Sequence, residues 1–436
     1  MAKPRKDAHP QAVASARAVA RELLDQVLLK HRTLDEAAGQ TRDFHILAPR
    51  DRAFARLLAA TVLRRRGSLD AVLAKCLDKG APPMPIEMIL RLGAAQLLLL
   101  DTPAHAAVGE TVALCDRRAE KLKGLVNAVL RRVARDGKAM LGELDTARLD
   151  TPPWLWHVLS TAHGETAARE VAAIHAGEPP LDLSVKADAE GWAAKLGAIL
   201  LPNGTLRLAD AGNVAELPGF DEGAWWVQDA AAALPARLLG DVAGKDVIDL
   251  CAAPGGKTLQ LAAAGARVVA VDQSEKRLSR LRENLARTGL EAASVCADVA
   301  EWRPETPVGH VLLDAPCTAS GTLRRNPEIA YLKSPLDADK LVGVQDRLLD
   351  AAAEMTAPGG MLVYAVCSLD PREGRSRVTA FLSRNKAFQR RRIAAGEIGG
   401  DAALVSDDGD LVTLPCHWAT QGGMDGFYAA RLVRQA

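Results

Sequence analysis

Apolar residues recur every three to four positions through most of the first 140 residues. In QAVASARAVARELLDQVLLK (11–30), Val13, Ala16, Ala20, Leu23, Leu24, Val27 and Leu28 share one helical face, and RAFARLLAATVLRRR (52–66) and GLVNAVLRRVAR (124–135) repeat the pattern. This predicts an all-α bundle over 1–140. The paired prolines of TPPWLWHVLS (151–160) interrupt it, and residues 141–240 mix helical stretches with short strand-like pieces that end in the turn-rich LPNGTLRLADAGNVAELPGF (201–220). A small mixed α/β connecting domain is expected there. From Lys245 short apolar runs (DVIDLC, RVVAVD, HVLLD, MLVYAV) alternate with amphipathic helical patterns (SEKRLSRLRENLARTG, LVGVQDRLLDAAAEM). That alternation predicts a doubly wound, Rossmann-like α/β domain over 241–436 with a mostly parallel sheet.

Composition narrows the class. Aromatics make up only 4% of the 436 residues, so Ala, Leu and Val must fill the cores. No run of about eighteen apolar residues occurs, and MAKPRKDAHP lacks an apolar signal region, so a cytoplasmic protein without a membrane span is expected. Seven cysteines without a CxxC pair, and nine histidines without ligand spacing, predict neither a disulfide framework nor a metal site. The net charge of +1 conceals an asymmetry: residues 1–140 carry 25 Lys and Arg against 15 Asp and Glu, and the remainder carries 30 against 39. A basic surplus at one end suits a polyanion. Its clusters Arg64, Arg65, Arg66 and Arg131, Arg132 are candidate RNA contacts, with a solvated helical face as the plain alternative.

The chemistry concentrates at the ends of apolar runs. DLCAAPGGKT (249–258) sets glycines between a strand and a helix, where a backbone can approach a ligand closely. The GxGxxG spacing is absent, and a phosphate-cradling GxxxxGKT loop would require glycine where Cys251 stands, leaving a nucleoside triphosphatase as a weak alternative. Acids follow successive strands: Asp272 is placed to take ribose hydroxyls, Asp298 an adenine amine, and Asp314 follows the fourth strand. Carboxylates around a glycine loop suit an adenosine with a positive sulfonium, which is S-adenosylmethionine. Cys317 in DAPCT and Cys367 in YAVCS lie just beyond strands at that same edge. Two thiols there suit cytosine C5 methylation, in which a thiolate added to C6 makes C5 nucleophilic and a second thiol assists release. The residues alone do not say which thiol attacks. Cys76, Cys115, Cys296 and Cys416 read as packed residues.

DLCAAPGGKT, DAPCTASGTLRRNPEIAYL and GGMLVYAVCSLDPREG resemble the motifs of RNA 5-methylcytosine methyltransferases. DRAFARLLAATVLRRRGSLD, ILRLGAAQLLLLDTPAHAAVGETV and GLVNAVLRR resemble a NusB-like RNA-binding domain, which narrows the resemblance to the bacterial RsmB (Sun, or Fmu) type; WWVQDAAAALPARLL and DGFYAARL match as well. The resemblance implies cofactor contacts from Cys251, Ala252, Ala253, Pro254, Gly255, Gly256 and Lys257, from Asp272 and Asp298, and from Asp314 near the methyl donor. It makes Cys367 the covalent nucleophile and Cys317 the assisting thiol, with Asp314 beside them. It implies 16S ribosomal RNA as partner, a flipped cytosine as substrate, and Arg324 and Arg325 beside the displaced backbone. A monomer is expected. A transfer-RNA cytosine-5 methyltransferase, sharing the catalytic half, and a non-catalytic RNA-binding or assembly factor are the alternatives. The NusB-like region speaks against the first and the intact Asp314, Cys317 and Cys367 against the second.

Overall fold

The computed structural model describes residues 15–78, 80–116, 119–209 and 211–436, so Val13 and the N-terminal MAKPRKDAHP lie outside the described residues. The chain divides into two compact units, Met1–Thr151 with Asn326–Leu332, and Pro152–Arg325 with Lys333–Ala436. The helical unit thus runs to Thr151, past the expected 140. The segment 141–240 forms no unit of its own: its first residues fall with the helices and the rest with the C-terminal α/β part.

The first unit is built from helices whose apolar faces meet in one core. Helix Ala16–Lys30 is capped by Ser15, whose side chain accepts from the Ala18 N–H, and it buries Val19, Ala20, Leu23, Leu24 and Val27, the periodic face read from the sequence. Helices Met84–Leu98 and Lys123–Gly142 approach closely through Gly93, where a Cβ would come within 2.6 Å of the Leu130 methyls. Asn326–Leu332 completes this unit: Tyr331 packs against the core and donates its hydroxyl to the Leu63 carbonyl at 2.7 Å. Among the described residues no helix is long and apolar enough to cross a membrane.

The second unit starts where the prolines stand. Pro152 is the cap and Pro153 the first residue of helix Pro153–His175, where proline's fixed φ suits a helix start and its missing N–H is not needed. Four short strands follow, β1 (Leu181–Val185), β2 (Ile199–Leu200), β3 (Leu206–Leu208) and β4 (Trp225–Val227), in an antiparallel sheet of order β2-β3-β1-β4. The larger sheet contains β5 (Asp246–Leu250), β6 (Arg267–Asp272), β7 (Ala293–Cys296), β8 (Val308–Asp314), β9 (Thr356–Val366), β10 (Phe388–Arg390), β11 (Leu411–Thr413) and β12 (Phe427–Arg434). Its order is β10-β12-β9-β8-β5-β6-β7, with β11 pairing β12. The strands from β9 to β7 run parallel, and β12 returns antiparallel beside β9. Along β9 the side chains alternate: Leu362, Tyr364 and Val366 enter the core on one face, Val363 and Ala365 that on the other. The sequence runs from β5 outward through β6 and β7, then crosses to β8 on the other side of β5. The carboxyl ends of β5 and β8 therefore flank the point where such sheets bind ligands.

Candidate active site

Three strand-end acids and both motif cysteines line one cleft of about 400 Å³ at that edge: Asp272, Asp298, Asp314, Cys317 and Cys367. The glycine loop shapes one side. Gly255 caps helix Gly256–Ala263 at φ 106°, and a Cβ there would sit 2.8 Å from the Leu281 side chain, so the chain turns here only as glycine. Asp272, 1% exposed, fastens the loop by accepting from the N–H groups of Ala253 (3.1 Å) and Ser274 (2.9 Å). Arg277, unnoticed in the sequence, lies 3.6 Å from Asp272 and donates to the Ala253 carbonyl. Asp298 is exposed and accepts from the Ala300 N–H at 2.9 Å. Of the loop residues expected to touch a cofactor, Cys251 lines the cleft. Burial pushes its thiol well above the ordinary cysteine value, so it is a neutral wall. Carboxylates with free lone pairs, set around a close-approaching backbone, fit a ligand that offers hydroxyls, an amine and a positive charge.

The two cysteines meet because their strands are neighbours. β8 and β9 pair in parallel with Asp314 opposite Ala365, and the Ala315 N–H continues the ladder to the Ala365 carbonyl at 2.9 Å. Cys317 and Cys367 follow within a few residues, and their Sγ atoms lie 3.4 Å apart. The Cys367 carbonyl accepts from the Gly321 N–H, whose own carbonyl accepts from Gly426. A Cβ on Gly321 would strike the Gly426 oxygen at 1.9 Å, so this close stacking of backbones depends on glycine. The hydrogen bond with Cys367, then burial, pushes the Cys317 thiol well above its usual range, leaving it protonated at neutral pH. Lys257 does not face the cleft: its ammonium, buried, bonds Asp314 Oδ2 at 2.7 Å and stands 5.1 Å from the centre of the Phe427 ring. A carboxylate–ammonium pair thus adjoins the thiol pair. Phe427 belongs to DGFYAARL, quoted for its resemblance but given no role.

Other expectations need correction. Cys296, read as packed, is exposed at the end of β7. Arg324, expected beside displaced RNA, is fully buried, its Nε on Asp425 at 3.0 Å and its Nη2 on Asp229. Arg325 also binds Asp425 and is half-buried. Burial alone would raise the Asp229 carboxyl, but Arg324 and then Arg325 outweigh it and hold it at about 2. Arg324 thus braces the turn after Cys317 instead of facing solvent, whereas the Arg325 side chain, tied to the same Asp425, is 35% exposed. In the helical unit Arg64, Arg65 and Arg66 are half-buried; Arg65 pairs with Asp150 at 2.7 Å and Arg66 stands 5.2 Å from the centre of the Tyr331 ring. Arg131 is exposed, and Arg132 reaches Asp78 only at 3.4 Å.

Comparisons with known proteins bear on the family and the fold. Residues 236–433 match the family described as 16S rRNA methyltransferase RsmB/F, and residues 14–135 match the NusB family. The chain is 39% identical over 409 residues to the ribosomal RNA small subunit methyltransferase B of Pseudomonas syringae pv. tomato, covering 89% of this chain and 90% of that one. It is 34% identical to the same-named protein of Vibrio cholerae, covering 97% and 98%. The crystal structure of PH0851 shares the fold, with a TM-score of 0.74 at 21% identity, covering 98% of this chain and all of that one. The chain is therefore a member of the RsmB/F family and an S-adenosylmethionine-dependent methyltransferase that carries a NusB-family helical region.

Proposed function

We propose that this protein methylates C5 of a cytosine in 16S ribosomal RNA, with Cys367 forming a covalent bond to C6 of the base. The observation that carries the reading is the thiol pair, 3.4 Å apart, opening onto the same cleft as three strand-end acids. Asp272 and Asp298 would hold the nucleoside part of S-adenosylmethionine, with Cys251 as wall and the loop from Ala252 to Gly256 as backbone support. The cofactor, when bound, supplies a methyl group activated on a sulfonium.

The protein's own steps follow from its side chains. Cys367, as thiolate, adds to C6, and the electrons of the C5–C6 double bond move toward C5. Asp314, which lines the cleft and is held by the buried Lys257 ammonium, would polarise the amino and ring-nitrogen edge of the base and favour that addition. After C5 has gained its methyl group, its proton passes to water in the cleft, the C5–C6 double bond re-forms and the C6–S bond breaks. Cys317, a protonated thiol within hydrogen-bonding distance, stabilises the departing Cys367 sulfur. The basic helical region supplies phosphate contacts, with the exposed Arg131 and the partly exposed Arg132 as candidates.

A denaturing gel with labelled small-subunit RNA tests the roles. Cys317→Ala should retain a covalent protein–RNA adduct, because addition needs only Cys367 while release is slowed. Cys367→Ala should form none. An adduct in Cys367→Ala and none in Cys317→Ala would reverse the assignment.

A further inference from the structure

Behind the thiol pair lies a buried carboxylate that the mechanism above does not use. Glu373 is 0% exposed. Its Oε1 accepts from the Thr318 N–H at 2.9 Å and from Gln345 Nε2 at 3.0 Å; its Oε2 accepts from the Thr318 hydroxyl at 2.6 Å and the Ser368 hydroxyl at 2.5 Å. Thr318 follows Cys317 and Ser368 follows Cys367, so one side chain joins the residue after each cysteine. Gln345 adds a third tie, since its amide also donates to the carbonyl of Pro316, the residue before Cys317. Tyr364 holds the Glu373 backbone in turn, donating to its carbonyl at 2.6 Å.

We infer that Glu373 is the positioning residue of the cysteine pair: its carboxylate straps the two turns together, fixes the separation of the sulfurs and places a negative charge on the Cys317 side. Two arguments support this. All four hydrogen-bond partners are neutral donors, and an unpaired buried carboxylate is costly, so satisfying Thr318 and Ser368 alone would be served as well by a neutral acceptor. The charge therefore has its own consequence. Two thiols 3.4 Å apart are nearly equivalent partners for one proton, and a nearby anion disfavours a second negative charge on the closer sulfur. The Glu373 charge is among the influences that raise the Cys317 thiol, after the Cys367 hydrogen bond and burial. On the other side, Lys257 interacts favourably with negative charge on Cys367. The pair thus stands between an anion on the Cys317 side and an ammonium on the other.

The inference rests on the covalent-cysteine reading, and its test separates the two. Folded full-length protein, verified by S-adenosylhomocysteine calorimetry, is treated briefly with iodoacetamide at neutral pH, and alkylation of Cys317 and Cys367 is measured by peptide mass spectrometry. Labelling should favour Cys367 in the wild type. Glu373→Gln, which keeps the shape and removes the charge, should narrow that preference several-fold, and Glu373→Asp should restore most of it. In methyl transfer Glu373→Gln should lose tenfold or more in kcat with both KM values within twofold, and the alkaline limb of its pH profile should move to lower pH. An alkylation ratio unchanged in folded Glu373→Gln overturns the inference whatever the activity does, whereas a wild type inactive on ribosomal RNA counts against the substrate reading alone. If Glu373→Gln fails to fold, Thr318→Val and Ser368→Ala each remove one hydroxyl tie to Glu373 without touching the charge. Each should lower kcat several-fold with cofactor binding intact, and wild-type kcat in both would overturn the strap.

Discussion

Asp249 lies fully buried beneath the glycine loop, with Oδ2 accepting from the Thr258 hydroxyl at 2.6 Å and Oδ1 buried without a hydrogen-bond partner among the described residues. Burial pushes its carboxyl up from 3.8 to about 7. The unfolded chain gives up this proton near pH 4 and the folded chain holds it until about 7. The group's contribution to stability is therefore complete below about pH 4 and is lost as pH rises through 7. Asp249→Asn, an uncharged replacement, should remove that slope: denaturant titrations should find it more stable than wild type at pH 8, with the gap closing toward pH 4. Asp272 belongs to the cofactor side. Asp272→Ala removes charge-assisted hydrogen bonds of roughly 1.5 to 3 kcal/mol, so calorimetry should show S-adenosylhomocysteine binding weakened about tenfold or more, with RNA binding nearly unchanged. Unaltered cofactor affinity would make Asp272 only a fastener of the Ala253 turn. The acids and cysteines were legible in the sequence because each ends an apolar run, and strand ends converge at one edge. The direction of Lys257 was not, because a side chain pointing from a helix start to Asp314 leaves no mark on spacing. Nor was Glu373, whose partners come from three separate segments.

At the level of elements, the alternation of apolar runs after Lys245 identified the parallel strands, since strands buried on both faces read as continuous apolar stretches. The prolines at 152 and 153 suit a helix start, and the helical unit runs up to them, past the expected boundary at 140. What the sequence concealed was the ionic core that joins the β4 turn, the turn after Cys317 and the segment before β12. Arg324 and Arg325 looked like surface cations, but Asp229 and Asp425 lie about a hundred residues away along the chain. No local pattern reveals such a pairing. Breaking it should be costly, because Asp229→Ala leaves the Arg324 guanidinium buried with one anion fewer. Removing one partner of a buried pair typically costs about 3 to 5 kcal/mol, readable as a fall in the denaturation midpoint with little change in slope. A loss below about 1 kcal/mol would mean that water or Asp425 alone satisfies Arg324.

Over the whole molecule, the surplus of ten basic residues in the first 140 is a count, and the structure sorts several of these cations among the described residues. Arg65 and Arg66 are engaged with Asp150 and Tyr331, whereas Arg131 is exposed on helix Lys123–Gly142 and Arg132 is held only loosely. Replacing Arg131 and Arg132 together by Ala should weaken binding to small-subunit RNA and flatten its salt dependence by about 0.7 to 0.9 logarithmic units for each phosphate no longer neutralised. An unchanged salt slope would show that the RNA follows another face. The central claim is that this chain methylates C5 of a cytosine in 16S ribosomal RNA through Cys367. The most direct test is to map methylated nucleotides, at single-nucleotide resolution, after incubating purified protein and S-adenosylmethionine with naked small-subunit RNA and, separately, with transfer RNA. The account predicts 5-methylcytosine at one position of the ribosomal RNA with wild-type protein and none with Cys367→Ala. Methylated adenosine, modification of transfer RNA alone, or an undiminished signal from Cys367→Ala would contradict it.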